Sequence, residues 1–517
     1  MNILIRTDSS QKIGTGHLIR CLTLADVLKA KDCEVHFVCR ALNGNMNYLV
    51  EEHGYNLYLL PAPAREFVSQ SDDIAHAPWL EVQWQQDQKE ISHILQNITG
   101  QIGWLIMDSY ALDYRWENTL RSCVKKIMVI DDLADRKHDC DLLLDQNYFM
   151  QPGKRYQNLV PAACKMALGP QYSLLREEFR FAKRFCQLRS PELNRILIYF
   201  GGNDPDNLTG LVLEALTLPE LNYITLDVVA GPNNTHLQVL KTLAKKRGQT
   251  RVHVQPKAFV ELLLRVDLFI GAGGTTTWER LCLNLPGIVI TNALNQEAFT
   301  AELDRDGFLH WLGRKQDITA QAIKDAALKH IAKIKDNKSG ELHSYLKARP
   351  DIVDARGALR IAEILVPTSV KDICLRVTEL ADVDIYFSWV NEERARMFAF
   401  SPEHVIWEIH RKWFENKINA SETFMWVLET KSGLPIGQIR FDIHEQAAEI
   451  DYSLDSIVRG RGWGKILLAK GIELFKLVKP DCSVLSKVKS ENVPSYRIFQ
   501  QLGFKEENRG EGVIYFH

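Results

Sequence analysis

The sequence has no long apolar run, no closely paired cysteines and little net charge, and each absence excludes a class of protein. No apolar segment approaches the length of a membrane-spanning helix, and the first residues, Met-Asn-Ile-Leu-Ile-Arg-Thr-Asp, show neither the apolar core nor the cleavage site of a signal peptide. The ten cysteines form no Cys-x-x-Cys pair, which argues against a disulfide framework or a zinc site. The formal charge of −2 gives no general attraction to nucleic acid or to an acidic membrane. We therefore expect a cytoplasmic protein with reduced cysteines, no metal, and neither a nucleic-acid nor a membrane partner.

The remaining composition is that of an ordinary globular protein, with 46% hydrophobic and 25% charged residues. A chain of 517 residues is too long for one hydrophobic core, so two to four domains are expected. The composition leaves the oligomeric state open.

Two successive regions alternate short apolar strands with helical patterns, a rhythm that predicts parallel sheets. The first region covers residues 1–185, with strands expected at 2–6, 34–39, 104–108 and 126–130. After a polar junction at 187–194, the second region covers residues 190–365, with strands expected at 195–200, 225–230, 251–255, 267–271 and 287–291 and a helical tail at 318–365. We predict an α/β fold with two Rossmann-like lobes and a cleft between them.

The third region, residues 373–517, follows a polar linker at 366–372 and has a different order of elements. Its pattern predicts helices at 378–397 and 402–418, then antiparallel strands at 424–429, 435–442 and 448–454. A helix at 463–478, a strand at 482–488 and a helix at 493–502 complete it. We therefore expect a separate α+β domain.

The segment Ile13-Gly-Thr-Gly-His-Leu-Ile-Arg-Cys21 joins the first apolar strand to a helix. Gly14 and Gly16 allow the backbone to approach a ligand, and the helix N-terminus behind them favours negative charge. Ligands bind at the carboxyl ends of parallel strands. We therefore expect His17 to face the crevice, where an imidazole moves protons near neutral pH.

The second region carries a similar loop, Gly271-Ala-Gly-Gly-Thr-Thr-Thr-Trp-Glu279, after an apolar strand. Its backbone N–H groups and threonine hydroxyls can hold a diphosphate without a metal. Glu279, one turn into the helix, is placed to accept hydrogen bonds from a ribose diol. A further glycine pair, Gly201-Gly202, ends the first strand of the same lobe. Such loops also occur as plain tight turns, but their recurrence at corresponding strand ends favours a nucleotide site.

The first two regions resemble the UDP-sugar hydrolases of pseudaminic acid synthesis, which are relatives of the two-lobed (GT-B) glycosyltransferases. The resemblance extends over about the first 365 residues and rests on motifs in the family's order: Arg6-Thr-Asp8, Ile13–Cys21, Asp108-Ser-Tyr110, Asp131-Asp-Leu133, Gly169-Pro-x-Tyr172-x-Leu-Leu-Arg176, Gly201-Gly-x-Asp204, Gly271–Gly274 and Asn295-Gln296-Glu297. It implies inverting hydrolysis of UDP-2,4-diacetamido-2,4,6-trideoxy-β-L-altropyranose to the free sugar and UDP.

In this interpretation His17 is the general base that activates water. Asp8, at the end of the same strand, either orients the imidazole ring or has a capping or solvated role. The other residues expected to contact the sugar nucleotide are Gly16, Tyr110, Asp131, Gly202, Gly273, Gly274, Thr275, Glu279, Asn295 and Gln296.

The third region resembles the GNAT N-acetyltransferases. Its motif Arg459-Gly-Arg-Gly-Trp-Gly464 lies between a strand and a helix, and a second signature follows at Asn492-Val-Pro-Ser495 and Phe499-x-x-x-Gly503-Phe504. The resemblance implies acetyl-CoA as co-substrate, with its pyrophosphate at the helix N-terminus. The residues expected to bind it are Arg459, Arg461, Gly462, Trp463, Gly464, Asn492 and Ser495.

Acetyl transfer to an amine requires a route for the amine proton. Glu449 and Asp451 lie on the strand that normally splays to bind the thioester, and either accepts that proton or is a solvated carboxylate. Many members of the family have Tyr at position 499, as acid toward the leaving thiolate. Phe499 has no hydroxyl, so that role passes to Tyr496, Ser495 or water, or is absent.

The sequence therefore predicts a bifunctional enzyme that acetylates the 4-amino group of a UDP-4-amino-sugar and then hydrolyses UDP from the product. The alternative is a GT-B glycosyltransferase of a UDP-sugar with a C-terminal acetyl-CoA-binding sensor domain. The sequence does not settle the sugar stereochemistry or whether intermediates pass directly between the sites.

Overall fold

A computed structural model describes residues 1–186, 193–232, 234–336, 351–508 and 513–516. Most of the predicted junction at 187–194 and residues 337–350 of the predicted helical tail lie outside the described residues. The chain divides into two units, the first ending at Leu365 and the second beginning at Val366. In the described part of the chain, no helix is both long and apolar enough to cross a bilayer.

The first lobe of the first unit is built on a seven-stranded parallel sheet with the order β3-β2-β1-β4-β5-β6-β7. Its strands are β1 (Asn2–Thr7), β2 (Glu34–Arg40), β3 (Asn56–Leu60), β4 (Ile102–Asp108), β5 (Val124–Ile130), β6 (Leu142–Asp145) and β7 (Lys165–Leu168). Its helices are α1 (Gly16–Lys29), α2 (Tyr48–Glu52), α3 (Trp84–Asn97), α4 (Tyr114–Leu120), α5 (Pro152–Arg155) and α6 (Glu177–Lys183).

The second lobe repeats this architecture with a six-stranded parallel sheet of order β10-β9-β8-β11-β12-β13. Its strands are β8 (Arg195–Tyr199), β9 (Thr225–Ala230), β10 (Thr250–Val254), β11 (Leu268–Ala272), β12 (Gly287–Thr291) and β13 (His310–Arg314). Its helices are α7 (Leu208–Ala215), α8 (Leu237–Arg247), α9 (Phe259–Arg265), α10 (Thr276–Cys282), α11 (Glu297–Arg305) and α12 (Ala320–Asp336), and α13 (Gly357–Leu365) ends the unit.

The strand order places the polar loops. In each sheet the first strand of the lobe lies in the interior: the next two strands are added on one side of it and the later strands on its other side, so the direction of strand order reverses there. Ligands of such sheets bind at the carboxyl ends of the two strands that flank this point. In the first lobe those strands are β1 and β4, and in the second lobe they are β8 and β11. The loops after these four strands therefore carry the candidate site of the first unit.

The central strands form because their side chains are apolar on both faces, as a parallel sheet covered by helices requires. Ile3, Leu4 and Ile5 of β1 are fully buried, as are Leu105 and Ile106 of β4. The two Rossmann-like lobes predicted from the sequence are confirmed.

Helix α13 packs against the first lobe, although the predicted division assigned residues 190–365 together to the second. The Trp104 indole donates to the Leu365 carbonyl at 3.1 Å, and Lys31 pairs with Glu363 at 2.9 Å. A Cβ at Gly357 would lie 2.2 Å from the Ser173 carbonyl oxygen, so this close approach requires glycine. The chain thus returns to its first lobe before the unit ends.

The second unit is an α+β domain with the sheet order β14-β15-β16-β17-β18-β20-β19. The strands are β14 (Ile373–Val377), β15 (Thr423–Thr430), β16 (Pro435–His444), β17 (Ala447–Leu454), β18 (Ser483–Lys489), β19 (Glu506–Asn508) and β20 (Val513–Phe516). The helices are α14 (Val383–Val390), α15 (Glu393–Phe398), α16 (Trp407–Ile418), α17 (Trp463–Val478) and α18 (Val493–Gln501). All neighbouring strands are antiparallel except β17 and β18.

Several elements differ from the sequence prediction. The predicted helix at 378–397 is broken between α14 and α15, because the Glu392 side chain caps α15 by accepting the N–H of Ala395. Of the strands that the prediction did not include, β3, β6, β7, β13 and β14 are only four or five residues long. Periodicity cannot separate such short apolar runs from helix or loop.

Candidate active sites

His17 lies on the first turn of α1, directly beside the carboxyl end of β4. Gly14 has a φ of +79°, which lets the loop turn tightly before the helix, and its N–H donates to the Ser10 carbonyl at 2.9 Å. The imidazole Nδ1 is 2.6 Å from Asp108 Oδ1, and the His17 side chain is 9% exposed. The connection after β1 and the end of β4 thus bring the His17 imidazole and the Asp108 carboxylate into contact.

Asp108 is the centre of a dense hydrogen-bond network. Arg20 binds it with two bonds, Nε to Oδ2 at 2.7 Å and Nη2 to Oδ1 at 2.6 Å, and the Cys21 thiol donates to Oδ2 at 3.4 Å. Burial opposes ionisation of this carboxyl, but Arg20 and His17 outweigh it and hold the pKa of Asp108 well below its usual range. Asp108 is therefore an ionised acceptor.

This network determines how the His17 ring can act. An ionised Asp108 accepts the proton on Nδ1, so the other ring nitrogen, Nε2, keeps its lone pair. Asp108 is also bound by Arg20, so the carboxylate that orients the imidazole is itself fixed in place. A neutral imidazole with a fixed tautomer is the form that removes a proton from water.

Asp8 does not orient the ring, which corrects both roles considered for it. Its carboxylate pairs with Arg6 at 2.6 Å and accepts the backbone N–H of Arg40 at 2.7 Å, and the residue is 3% exposed. Asp8 is thus turned toward β2, and the partner of His17 comes from β4.

Aromatic rings line one side of His17. The Tyr110 ring meets the imidazole edge-on, with centroids 4.6 Å apart, and its hydroxyl donates to Asp132. His76 and Trp79 cover the Tyr110 ring at centroid distances of 5.5 and 5.6 Å. The sequence predicted Tyr110 but missed His76 and Trp79, because the segment that carries them has no periodic pattern.

Asp131 corrects a second expectation. It is fully buried, and its carboxylate is occupied by Arg136 at 2.8 Å and by the backbone N–H groups of Leu133 and Ala134. Burial opposes its ionisation, but Arg136 prevails and lowers the pKa of Asp131 to about 2. The Asp131 carboxylate stabilises the turn after β5. The carboxylate of the neighbouring Asp132 accepts hydrogen bonds from the Tyr110 hydroxyl and from Arg20.

The two glycine loops of the first unit lie close together. A Cβ on Gly16, in the first lobe, would be 3.4 Å from Thr275 Oγ1, in the second. A Cβ on Gly274 would be 3.7 Å from Gln296 Nε2, and Gln296 accepts the backbone N–H of Asn292 at 3.2 Å. Asn295 is exposed beside it. Of the predicted residues, Gly16 and Thr275 therefore approach each other between the two lobes, and Gln296 lies beside Gly274.

The remaining predicted residues of the second lobe have contacts within that lobe or with the end of the first. Gly202 packs backbone to backbone, with its carbonyl accepting the N–H of Gly231 at 2.8 Å, and a Cβ on Gly273 would meet Thr300 Oγ1 at 2.9 Å. Glu279 lies 3.6 Å from Arg176, with its side chain 14% exposed. Burial raises the pKa of Glu279, and Arg176 opposes that shift.

In the second unit, β17 and β18 pair only from Ala447–Ser483 to Glu449–Leu485, and the strands then separate. Beyond that point β18 pairs with β20. The two strands therefore separate as expected. The loop from Arg459 to Gly464 comes after β17 and leads into α17. Gly460 and Gly462 have φ values of +79° and +78°. Both positions are thus in the left-handed backbone region that favours glycine.

The arginines of this loop are bonded within the domain. Arg459 pairs with Glu392 at 2.8 Å and donates to the Leu454 carbonyl, while Arg461 donates to the Ile457 carbonyl at 3.0 Å. Trp463 is 2% exposed, so its side chain belongs to the core. All three side chains thus have partners within the domain, and their contacts with acetyl-CoA stay a prediction.

Three further predicted residues of the acetyl-CoA site also have structural partners. A Cβ on Gly464 would be 2.8 Å from Ile498 Cδ1, so this glycine allows α17 to approach α18. Asn492 caps α18 by accepting the N–H of Ser495, and the Ser495 hydroxyl accepts the Tyr452 hydroxyl at 2.9 Å.

Glu449 and Asp451 project from β17. Glu449 is paired with Lys487 at 2.8 Å. Asp451 accepts from Gln438 at 2.9 Å and lies 3.5 Å from Arg440, with its side chain 54% exposed. Because Glu449 is bound to Lys487, Asp451 is the more accessible carboxylate toward solvent.

Among the described residues, no group of three or more His, Cys, Asp and Glu side chains is arranged to hold a metal ion.

The acetyltransferase (GNAT) domain model matches residues 372–505, so the C-terminal part of the chain is a GNAT acetyltransferase domain. The UDP-2,4-diacetamido-2,4,6-trideoxy-β-L-altropyranose hydrolase of Campylobacter jejuni is 26% identical over 309 residues, which cover 60% of this chain and 98% of that enzyme. The N-terminal region thus resembles this hydrolase, and the chain is a fusion of the two parts.

Two other comparisons cover more of the chain. An uncharacterized protein of Methanocaldococcus jannaschii is 24% identical over 543 residues, covering 99% of this chain and 98% of that protein. Among solved structures, MurG of Acinetobacter baumannii aligns with a TM-score of 0.49 and 11% identity, covering 71% of this chain and 99% of MurG.

Proposed function

We propose that the chain catalyses two consecutive reactions of pseudaminic acid synthesis. The C-terminal domain acetylates the 4-amino group of a UDP-4-amino-sugar, and the N-terminal lobes hydrolyse UDP-2,4-diacetamido-2,4,6-trideoxy-β-L-altropyranose to the free sugar and UDP. The observation that carries the hydrolase half is the His17–Asp108 pair at the crevice of a region that resembles such a hydrolase.

The proposed hydrolysis needs a positioned water and a place for the departing diphosphate. His17 Nε2 takes a proton from water, and the oxygen attacks the anomeric carbon from the side opposite UDP, which inverts the configuration. Asp108 holds the ring through Nδ1. The loop at Gly273–Thr275, next to Gly16, lies where backbone N–H groups can receive the diphosphate.

Glu279→Ala is expected to weaken UDP binding by about 1–3 kcal/mol, because ribose hydroxyls would lose their acceptor. Isothermal titration with UDP measures this, and His17→Asn serves as a control that leaves UDP affinity unchanged. Unaltered UDP affinity in Glu279→Ala would place the ribose elsewhere in the cleft.

The order of the two reactions follows from the charge of the substrate. A 4-amine is largely cationic at pH 7, whereas a 4-acetamido group is neutral and both donates and accepts hydrogen bonds. A pocket built for the acetamide would bury an unpaired charge if it bound the amine. The wild-type enzyme is therefore expected to release little UDP from the amino sugar until acetyl-CoA is added, as measured by UDP formation without any acceptor sugar.

Gly462 provides a matched pair of variants for this experiment. Its φ of +78° suits Asn and Asp better than other side chains, and a Cβ there would have no atom within 4 Å. Gly462→Asp puts an anion where the pyrophosphate is expected, and Gly462→Asn does not. The Asp variant should lose the response to acetyl-CoA yet hydrolyse the pre-acetylated sugar normally, while the Asn variant keeps both activities.

Three outcomes would contradict the proposal. Equal UDP release from the amino and acetamido sugars would show that acetylation does not precede hydrolysis. UDP release that depends on an added acceptor hydroxyl would identify a glycosyltransferase. Acetyl-CoA binding without turnover of any UDP-amino-sugar would identify the C-terminal domain as a sensor.

A further inference from the structure

Two cysteine side chains of the first lobe are in contact at the amino ends of neighbouring strands. Cys140 comes two residues before β6, Cys164 comes directly before β7, and their sulfur atoms are 3.5 Å apart. Both side chains pack against the same apolar cluster, so they lie on the same face of the sheet. Both are free thiols. The fold thus brings together two thiols that are 24 residues apart in the sequence.

The backbone next to this pair is fixed by strand pairing. β6 and β7 run parallel from the pair Leu142 and Lys165 onward, and the Lys165 N–H donates to the Asp141 carbonyl at 3.0 Å. The sulfur atoms of a disulfide are about 2.05 Å apart, so the two thiols need to approach each other by about 1.5 Å. Rotation of the two side chains about their Cα–Cβ bonds is the movement that closes this gap.

The two thiols differ in exposure and in ease of ionisation. Cys140 is 2% exposed, whereas Cys164 is half-buried and can be reached from solvent. A hydrogen bond from the Cys140 thiol lowers the pKa of Cys164 against the effect of burial, while the same contact and burial raise the pKa of Cys140. The protonated Cys164 thiol donates to the Lys165 carbonyl at 3.3 Å. Because the thiolate is the reactive form of cysteine, Cys164 is the thiol that an oxidant meets first.

We propose that Cys140 and Cys164 form an oxidation site that reacts with hydrogen peroxide and closes to a disulfide between β6 and β7. The Cys164 thiolate attacks one peroxide oxygen and the O–O bond breaks, which leaves a sulfenic acid on Cys164 and hydroxide, and hydroxide takes up the thiol proton to leave as water. The Cys140 sulfur then displaces the sulfenic oxygen, which departs with the Cys140 proton as a second water. Two thiols are thus oxidised by two electrons, and one peroxide is reduced to two waters.

The disulfide has a structural consequence at the edge of the sheet. β7 is the last strand in the order of its sheet, has only four residues and pairs with β6. A covalent bond at its amino end fastens this edge strand to its neighbour. The loops of the candidate hydrolase site follow the carboxyl ends of the strands, so this inference does not rest on the proposed function.

The full chain treated with an equimolar amount of hydrogen peroxide tests the inference. Peptide mass mapping should show Cys140 linked to Cys164, with two fewer free thiols than the ten of the reduced chain, and dithiothreitol should reverse the change. The exposed Cys123 provides a matched control, since Cys123→Ser should form the same disulfide.

Single variants separate the roles of the two thiols. Cys164→Ser should form no disulfide and leave Cys140 reduced, because the accessible thiol is gone. Cys140→Ala should retain a sulfenic acid on Cys164, which dimedone labels, because the resolving thiol is gone. A measurement on the wild type needs neither variant: phenylarsine oxide, whose arsenic binds two adjacent thiols, should protect both cysteines from peroxide.

Hydrogen exchange measures the effect on the edge strand. The amides of β7 should exchange at least about 10-fold more slowly in the oxidised than in the reduced wild type, and peroxide should cause no such slowing in Cys140→Ala. Unchanged exchange in the cross-linked protein would contradict the fastening of β7. Oxidation of Cys123 and Cys374 with Cys140 and Cys164 still reduced, or a wild-type sulfenic acid on Cys164 that never yields a disulfide, would overturn the oxidation site itself.

Discussion

We expect His17→Asn to lower the rate of UDP release by at least about 10²-fold, while binding of the sugar nucleotide persists. Asparagine retains a hydrogen-bonding side chain toward Asp108 but has no nitrogen that can take a proton from water. Single-turnover UDP release measures the effect, and equilibrium binding of UDP shows that the cleft is intact. Near-normal hydrolysis by this variant would show that His17 is not the general base.

Asp108→Asn is the companion variant that tests the orientation of the ring. The asparagine amide can present a donor to Nδ1, which would favour the tautomer with its proton on Nε2 and so remove the lone pair that water needs. We expect a loss comparable to that of His17→Asn, with no additional loss in the double variant. An Asp8→Asn variant serves as the contrast, since Asp8 contacts Arg6 rather than the ring.

The pH dependence follows from the same network. Because Arg20 and His17 hold the pKa of Asp108 well below its usual range against the effect of burial, Asp108 stays ionised through mildly acidic pH. Protonation of Asp108 should therefore contribute nothing to any fall in the hydrolysis rate at mildly acidic pH, and the carbon chemical shift of its carboxyl group measures its ionisation. A titration of that signal in mildly acidic buffer would contradict the assignment of Asp108 as an ionised acceptor.

Asp87→Ala is expected to destabilise the first lobe by about 3–5 kcal/mol, because it leaves two buried cations without their shared carboxylate. Arg6 donates to Asp87 from Nε at 3.2 Å and Nη2 at 2.7 Å, and Arg40 donates from Nη2 at 2.7 Å. The Trp116 indole adds a bond at 3.1 Å. All four residues are fully buried.

Glu90→Ala provides the matched control, since Glu90 also binds Arg40 Nη2 but has a side chain that is 22% exposed. Its removal should cost about 1 kcal/mol or less, because water can replace a carboxylate near the surface. Urea unfolding, with hydrogen exchange of the amides in β1 and β2, reports the change in the free energy of unfolding. Equal effects of the two variants would show that burial of the ion pairs does not matter.

The stabilisation by Asp87 should depend on pH with a defined sign. Arg6 and Arg40 lower the pKa of Asp87 in the folded state despite its burial. A carboxyl with a lowered folded-state pKa contributes its stability above the unfolded-state pKa and loses it as the pH falls through the folded-state pKa. The difference between wild type and Asp87→Ala should therefore be complete at neutral pH and shrink only in strong acid.

The sequence by itself determined the fold class of the successive parts of the chain, because the order of strands and helices is encoded in local patterns. Alternation of apolar strands with helical segments predicted both parallel sheets, and the glycine loops at Gly14–Gly16 and Gly271–Gly274 were located from the residues that precede and follow them. The acetyltransferase region was located by two motifs at a fixed separation, and residues 372–505 match that family. Each strand, glycine loop and motif is recognised from residues within about one helical turn or one strand of one another.

The tertiary structure alone decided which side chains meet. Asp8 and Asp108 both end strands of the same sheet, but only Asp108 reaches His17, because β4 lies next to β1 and Asp8 is bound by Arg6. In the same way, Tyr452 and Ser495 are 43 residues apart and meet only because α18 packs over β17. Contacts of this kind depend on strand order and helix packing, which residues distant in the chain settle together, so no local pattern in the sequence carries them.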